Sequence, residues 1–149
     1  IRNNMIVRRP NTGSRGAAIS LLDAPSAVVV HNSVLVSGTA PASIEFAHID
    51  TRNVVIANNL LDRPVAGRDG AQATQAQNVT TATPWWFVGA SRGDLRLQPL
   101  LMRMDGSSTV APLVIDAAWS VTTTTHDHEG QPRPAGAAND IGADEHHIK

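Results

Sequence analysis

Ionisable side chains are densest, in the first half of the chain, at Glu45, His48, Asp50 and Arg52. These residue types can do acid–base chemistry: an imidazole takes a proton, and a carboxylate orients the base or holds a hard cation such as Ca²⁺. His48 and Glu45 are therefore the candidate catalytic pair, with Asp50 and Arg52 as candidate substrate-binding groups. The same four residues would also serve as an ordinary solvated edge. Arg8 and Arg63 join the binding set through a repeat. Aligning Asn3, Asn32 and Asn58 brings Arg8, Ser37 and Arg63 to the same offset. Strands stacked at ordinary spacing would then hold the two guanidiniums about 10 Å apart. Lysine occurs only at position 149, so no lysine base is available in this region. His126-Asp127-His128-Glu129 has two histidines at i and i+2, which can chelate from an extended segment. With no third and fourth ligand at a fixed spacing, it reads as a solvated loop, as does His146-His147. No resident metal or cofactor is expected, Ca²⁺ at the 45–50 carboxylates being the one cation left open.

The elements that would position these groups are short and repetitive. Arg52–Arg63 is an apolar run, a polar bend with asparagine, and a second apolar run. The phrase recurs at 27–36, in shortened form at 1–7, and faintly at 78–82. A period of 20–50 residues marks a solenoid or array. Val28–Val30 and Val54–Ile56 are β-branched triplets, which suit strands and disfavour helix. The spacing predicts stacked coils with cores of valine, isoleucine, leucine and alanine, in which Val29, Val55 and Val79 face inward and Val55→Asp prevents folding. Asn3, Asn32 and Asn58 are expected to stack as an amide ladder at a left-handed bend, where asparagine is better tolerated than most residues. Alternation puts Glu45 on the opposite face from Ile44 and Phe46. Trp85-Trp86-Phe87-Val88 reads either as a sugar-stacking platform or, preferably, as rings closing the end of the stack.

Composition excludes several classes. A net charge of −1 gives no electrostatic case for nucleic acid or an anionic membrane surface. There is no cysteine, hence neither a disulfide framework nor a thiolate metal site. No apolar run approaches the length needed to cross a bilayer as a helix, so membrane insertion is not expected. The repeat is already under way at Ile1, so missing N-terminal coils or a second chain are expected to cap that end.

Residues 89–149 differ in kind, and here a resemblance becomes specific. Asp94–Pro99, Ala111–Ala118, Asp127–Pro134 and Asp140–Glu145, in that order, resemble the closing segment of bacterial right-handed parallel β-helix proteins of the pectate-lyase-like superfamily. There a D-x-x-G-x-x-R turn followed by D-I-G-A-x-E ends the solenoid. Ala118, where glycine is common, and the insert Leu100–Ser108 depart from the pattern. The resemblance implies an all-β fold: right-handed parallel β-helix coils over 1–88, then an irregular C-terminal closing segment over 89–149 of the same domain. It further implies a secreted or cell-surface bacterial protein that binds an acidic polysaccharide in a groove along one flat face, with lyase or hydrolase chemistry left open. A lyase would need a base beside a uronate carboxyl and a cation to neutralise it. The alternative is a non-catalytic adhesin-type rod.

Overall fold

The computed structural model describes residues 1–8, 16–98, 111–120 and 124–147. Leu100–Ser108 and most of the polar turn after Arg8 lie outside the described residues. The first half of the chain is a series of short strands: β1 (Met5–Arg8), β2 (Ile19–Leu22), β3 (Val28–Val30), β4 (Ser33–Val36), β5 (Ile44–Ala47), β6 (Val54–Ala57), β7 (Leu60–Leu61), β8 (Val65–Arg68) and β9 (Ala73–Ala76). They form three parallel three-stranded sheets, ordered β1-β4-β7, β2-β5-β8 and β3-β6-β9. Each strand pairs with the strand three elements on, so the chain winds through three sheets per turn in a solenoid-like stack. The all-β, parallel-stranded architecture expected from the sequence is what the chain adopts.

Its corners explain the bends. Asn3, His31, Asn58 and Gln77 all have φ between 47° and 57°. Asp23, His48 and Asp69 form a second left-handed column, and Ser26 and Asn53 a third. Asparagine, aspartate and histidine tolerate this region better than most side chains, which is why the corners carry them.

The amide ladder lies one residue beyond the first corner column, and this corrects the expected alignment. Met5 pairs with Ser33, and Ser33 with Leu60. The residue before each of these is an asparagine: Asn4, Asn32 and Asn59. Asn4 Nδ2 donates to Asn32 Oδ1 at 2.8 Å, Asn32 Nδ2 to Asn59 Oδ1 at 2.9 Å, and Asn59 Nδ2 to Asn78 Oδ1 at 2.8 Å. The backbone N–H of each of the first three donates to the same acceptor. Spacings are thus 28, 27 and 19 residues. The faint fourth copy carries the ladder after all, through Asn78, whose amide nitrogen also donates to Ile56 O at 2.7 Å.

Two cores follow. The interior of the stack holds Leu21, Val29, Val34, Val36, Ile44, Phe46, Val54, Ile56 and Leu61. Val28 pairs with Val55 and Val29 with Ile56. Val55 is only half-buried, whereas its neighbours Val54 and Ile56 are sealed. The expectation that Val55 faces inward is therefore wrong by one residue, which in a strand reverses the face. Glu45 lies outward between buried Ile44 and Phe46, as alternation requires.

The second core lies outside the stack. Leu35 and Leu60, with Met5 and Val7, cluster with Trp86, Phe87, Leu95, Leu97, Val114 and Ile141. The C-terminal half thus covers the outer side of β1-β4-β7, using the antiparallel pair β10 (Phe87–Gly89) and β11 (Asp94–Leu97) and the single helical turn α1 (Ala111–Val114). Trp86 and Phe87 belong to this covering layer and do not close the end of the stack, against expectation. The ring at that end is Phe46, which fills the inward side of Gly67: a Cβ on Gly67 would fall 2.4 Å from Phe46 Cζ. Trp85 stays largely exposed, edge-on to Trp86 with centroids 6.0 Å apart.

Candidate functional site

The coil residues singled out for chemistry gather at one face but do not converge. Ser20, Glu45 and Ala66 are register partners across β2-β5-β8, and Ala47 pairs with Arg68 on β8. Glu45 is spoken for by Arg68, whose Nη2 lies 3.2 Å from Oε1 and whose Nη1 contacts Asp69. His48 is itself a corner residue with φ 71°, and its Nδ1 lies 2.9 Å from Asp23 Oδ2. Arg52 pairs with Asp50 at 3.0 Å. Glu45 and His48 are therefore bonded to separate partners, Arg68 and Asp23, instead of converging on one point. Hydrogen bonding to the Glu45 and Asp69 carboxylates holds the Arg68 guanidinium above the usual range, so it stays a fixed cation.

In the expected column of Arg8, Ser37 and Arg63 the middle place falls to Val36 and not to Ser37. Arg8 pairs with Val36, and β7 stops at Leu61. Beyond it the Asp62 carboxylate, in place of a backbone carbonyl, accepts the Val36 N–H at 2.8 Å. Arg63 lies past the end of β7: its N–H donates to Ser43 Oγ at 3.1 Å and its guanidinium to Gly38 O at 3.4 Å. Arg8 reaches Gly16 O, and the Ser37 hydroxyl donates to Arg8 O.

The residues that carry the resemblance form a buried polar lock. Arg133 and Glu145 pair at 3.0 Å with side chains 0% and 1% exposed. Arg133 also donates to the carbonyls of Asp140 (3.0 Å) and Gly142 (2.8 Å). Glu145 accepts from the backbone of Ala135 and Asp140. Asp127 caps its own turn by accepting from Glu129 and Gln131, and it also takes the Glu145 N–H. Removing one partner from such a pair strands a buried charge, which is far costlier than the pair is stabilising. The lock clamps onto the first corner column. His31 Nε2 lies 3.2 Å from Asn58 Nδ2, and His31 Nδ1 lies 3.2 Å from Arg133 Nη1 and 3.1 Å from Asp140 O. Burial, reinforced by the Arg133 charge, pushes His31 down to about 4, so it is neutral near pH 7. Burial likewise pushes Asp140 and Asp144 up to about 7. Backbone N–H groups oppose this: those of Asp116 and His146 on Asp140, and that of Leu97 on Asp144. Gly142, at φ 108°, lets the loop touch the coils. A Cβ there would lie 2.8 Å from Ser33 Oγ. Asp127 and His128, in the run read from sequence as a solvated loop, serve as a turn cap and a tether. His128 Nδ1 donates to Asn3 O at 2.9 Å. No cluster of three or more metal-ligating side chains occurs among the described residues.

One cleft was not foreseen. A hollow of about 520 Å³ opens beside β1, lined by Met5, Arg92, Asp94, Arg96, His128 and Glu129. Asp94 and Arg96 share a face of β11 because Leu95 and Leu97 between and beyond them are buried. Arg96 grips Asp94 through Nε at 2.9 Å and Nη2 at 2.7 Å, and reaches Glu129 at 3.4 Å. The Arg96 bonds, with a smaller pull from Arg92, hold the Asp94 carboxyl below the usual range. Arg92 ends the short turn Ala90–Arg92, and the left-handed Gly93 swings the chain into β11. The Asp94-x-Arg96 alternation signalled an exposed charged face, but nothing local showed that residues 128 and 129 would lie opposite it.

No family model, no curated protein and no solved structure matches this chain.

Proposed function

We propose that the chain is the closing portion of a right-handed parallel β-helix in an exported protein, and that its open β2-β5-β8 face binds polysaccharide without cleaving it. The observation that carries this reading is where the ionisable coil residues fall. Glu45 and Arg68 lie on that sheet, Asp23, His48 and Asp69 at the corner that follows it, and Asp50 and Arg52 in the connection from that corner to β6. The β3-β6-β9 sheet has no ionisable residue, and the β1-β4-β7 sheet is covered from outside. Paired carboxylates and guanidiniums along an extended face suit the hydroxyl groups of a sugar chain, each of which both donates and accepts. Four carboxylates against two guanidiniums favour a neutral glycan over the polyanion that the family resemblance implies. Separate partners for Glu45 and His48 speak for binding over cleavage, since a general base must reach the proton it takes.

A second reading has its own support. The charges of this face satisfy one another, as they would in a rod that only spaces other parts of a surface protein. A glycan array, run with an absorbance assay for unsaturated uronate products, separates the two. Binding of a neutral or weakly charged glycan that is lost in Glu45→Ala, with no product, supports the first reading. No binding to any glycan leaves the rod.

A further inference from the structure

We propose that the end of the stack formed by β8 and β9, where the amide ladder stops at Asn78, docks an extended peptide strand that brings an asparagine of its own. The site lies at the end of the coils, not on the β2-β5-β8 face, and is independent of the glycan reading. Three rungs show what the contact is. In each, the backbone N–H and Nδ2 of one asparagine close together on the side-chain oxygen of the next: Asn4 on Asn32, Asn32 on Asn59, and Asn59 on Asn78. Asn78 carries the same pair of donors with no rung beyond it. One Nδ2 hydrogen goes to Ile56 O at 2.7 Å. The second, and the Asn78 backbone N–H, have no acceptor among the described residues. A carboxamide oxygen is what this fold sets opposite that pair each time it recurs.

The backbone beside Asn78 is open in the same direction. β8 pairs only with β5, and β9 only with β6. The Gln72 N–H and the Ala76 carbonyl bond back to the coil of β6, so alternation turns the N–H and C=O groups of Ala73 and Gln75 to the open side. Such a row recruits another strand unless charge, proline or a bulge blunts it. Ala73-Thr74-Gln75-Ala76 has none of these, and its register with β6 is unbroken. The interior tapers at the same level: Val54 stands over Ala73, Ile56 over Gln75 and Phe46 over Gly67. A hollow of about 330 Å³ opens there, with Val65, Gln75, Gln77, Asn78 and Thr80 on its wall and no ionisable side chain. The end thus offers backbone and amide bonds in place of a deep apolar core. An uncharged strand matches that offer.

The test is fluorescence anisotropy on the whole chain with a labelled peptide of residues 52–63. That peptide spans strand, bend and strand, and carries Asn59 as its rung. It should bind saturably, and its Asn59→Ala version about tenfold more weakly, the loss expected from one amide's hydrogen bonds. In the chain, Asn78→Asp keeps the oxygen that Asn59 needs but replaces the donor, and Gln75→Lys blunts the edge. Each should weaken the peptide about tenfold or more. Thr74→Lys puts the same charge on the outward side of β9 and should leave affinity unchanged. Circular dichroism and melting report folding; where Asn78→Asp melts early, Gln75→Lys at its exposed position carries the test. No binding of either peptide, equal binding of the two, or equal losses in Gln75→Lys and Thr74→Lys overturns the proposal. Binding of N-acetylglucosamine in place of the peptide, lost in Asn78→Asp, would give the donors to a sugar amide and overturn it too. So would self-association on sedimentation that Gln75→Lys abolishes, which gives the end to a second copy. Loss of glycan binding in Glu45→Ala bears only on the coil face.

Discussion

The Asn58 carboxamide and the Trp119 backbone exchange two hydrogen bonds: Nδ2 donates to Trp119 O at 2.9 Å, and Oδ1 accepts the Trp119 N–H at 2.8 Å. This exchange fixes which end of the amide faces His31, and it ties residues 61 apart in sequence. Asn58 is a left-handed corner of the coils that also serves as a docking point for the closing segment.

Asn58→Ala therefore removes a good corner residue and strands two backbone groups. A cost of about 2–3 kcal/mol in urea unfolding is expected, from one or two unsatisfied polar groups. Asn59→Ala, which interrupts the ladder where Asn59 both receives from Asn32 and gives to Asn78, should cost at least as much. A loss under about 0.5 kcal/mol for either would deny these amides their structural role.

Two adjacent valines separate the faces of β6. Val54→Asp places a charge in a sealed core and should abolish folding. Val55→Asp points outward beside Thr74 and should cost about 1 kcal/mol or less. Expression and circular dichroism of the pair decide it, and the reverse order would mean the register is wrong.

Glycine is required at Gly67 for space. Gly67→Ala drives a Cβ into the Phe46 ring and should destabilise by about 1–3 kcal/mol. Phe46→Leu in the same chain should recover part of that loss. If the double variant is no better than the single, the ring is not the obstacle.

Stability should depend on pH through two opposed effects. Asp140 and Asp144 titrate higher in the folded chain than unfolded, so their contribution is complete below the ordinary carboxylate range and is lost as pH rises through about 7. His31 titrates lower, so its contribution is complete above about 6.5 and is lost as pH falls toward 4. Two carboxyls outweigh one imidazole, so between the ordinary carboxylate range and about 6.5 stability should fall as pH rises. Asp144→Asn should flatten the profile, and His31→Asn, which keeps a good corner residue, should steepen it. Urea unfolding at several pH values checks this; an Asp144→Asn profile parallel to the parent would refute the assignment.

The strands of the coils were legible from residue order, because a period of two and runs of β-branched residues are local properties of a chain. Ile44-Glu45-Phe46 shows this: the backbone itself alternates sides, so the outward carboxylate follows from position. Bends at asparagine were legible for the same reason, since left-handed backbone is a single-residue preference. Register was not. Asn3-Asn4 and Asn58-Asn59 each offer two adjacent asparagines, and choosing between them requires knowing which backbone groups bond across coils. The Met5–Ser33–Leu60 pairing made that choice, and with it turned Val55 outward and brought Asn78 into the ladder. The fate of the ionisable residues was decided at longer range still. Glu45, His48 and Arg63 found partners in the positions the winding gave them, and Arg92 came to line one cleft with residues 128 and 129 because the closing segment folds back over β1-β4-β7. Charge pairing depends on distance in space, and only the folded chain sets that.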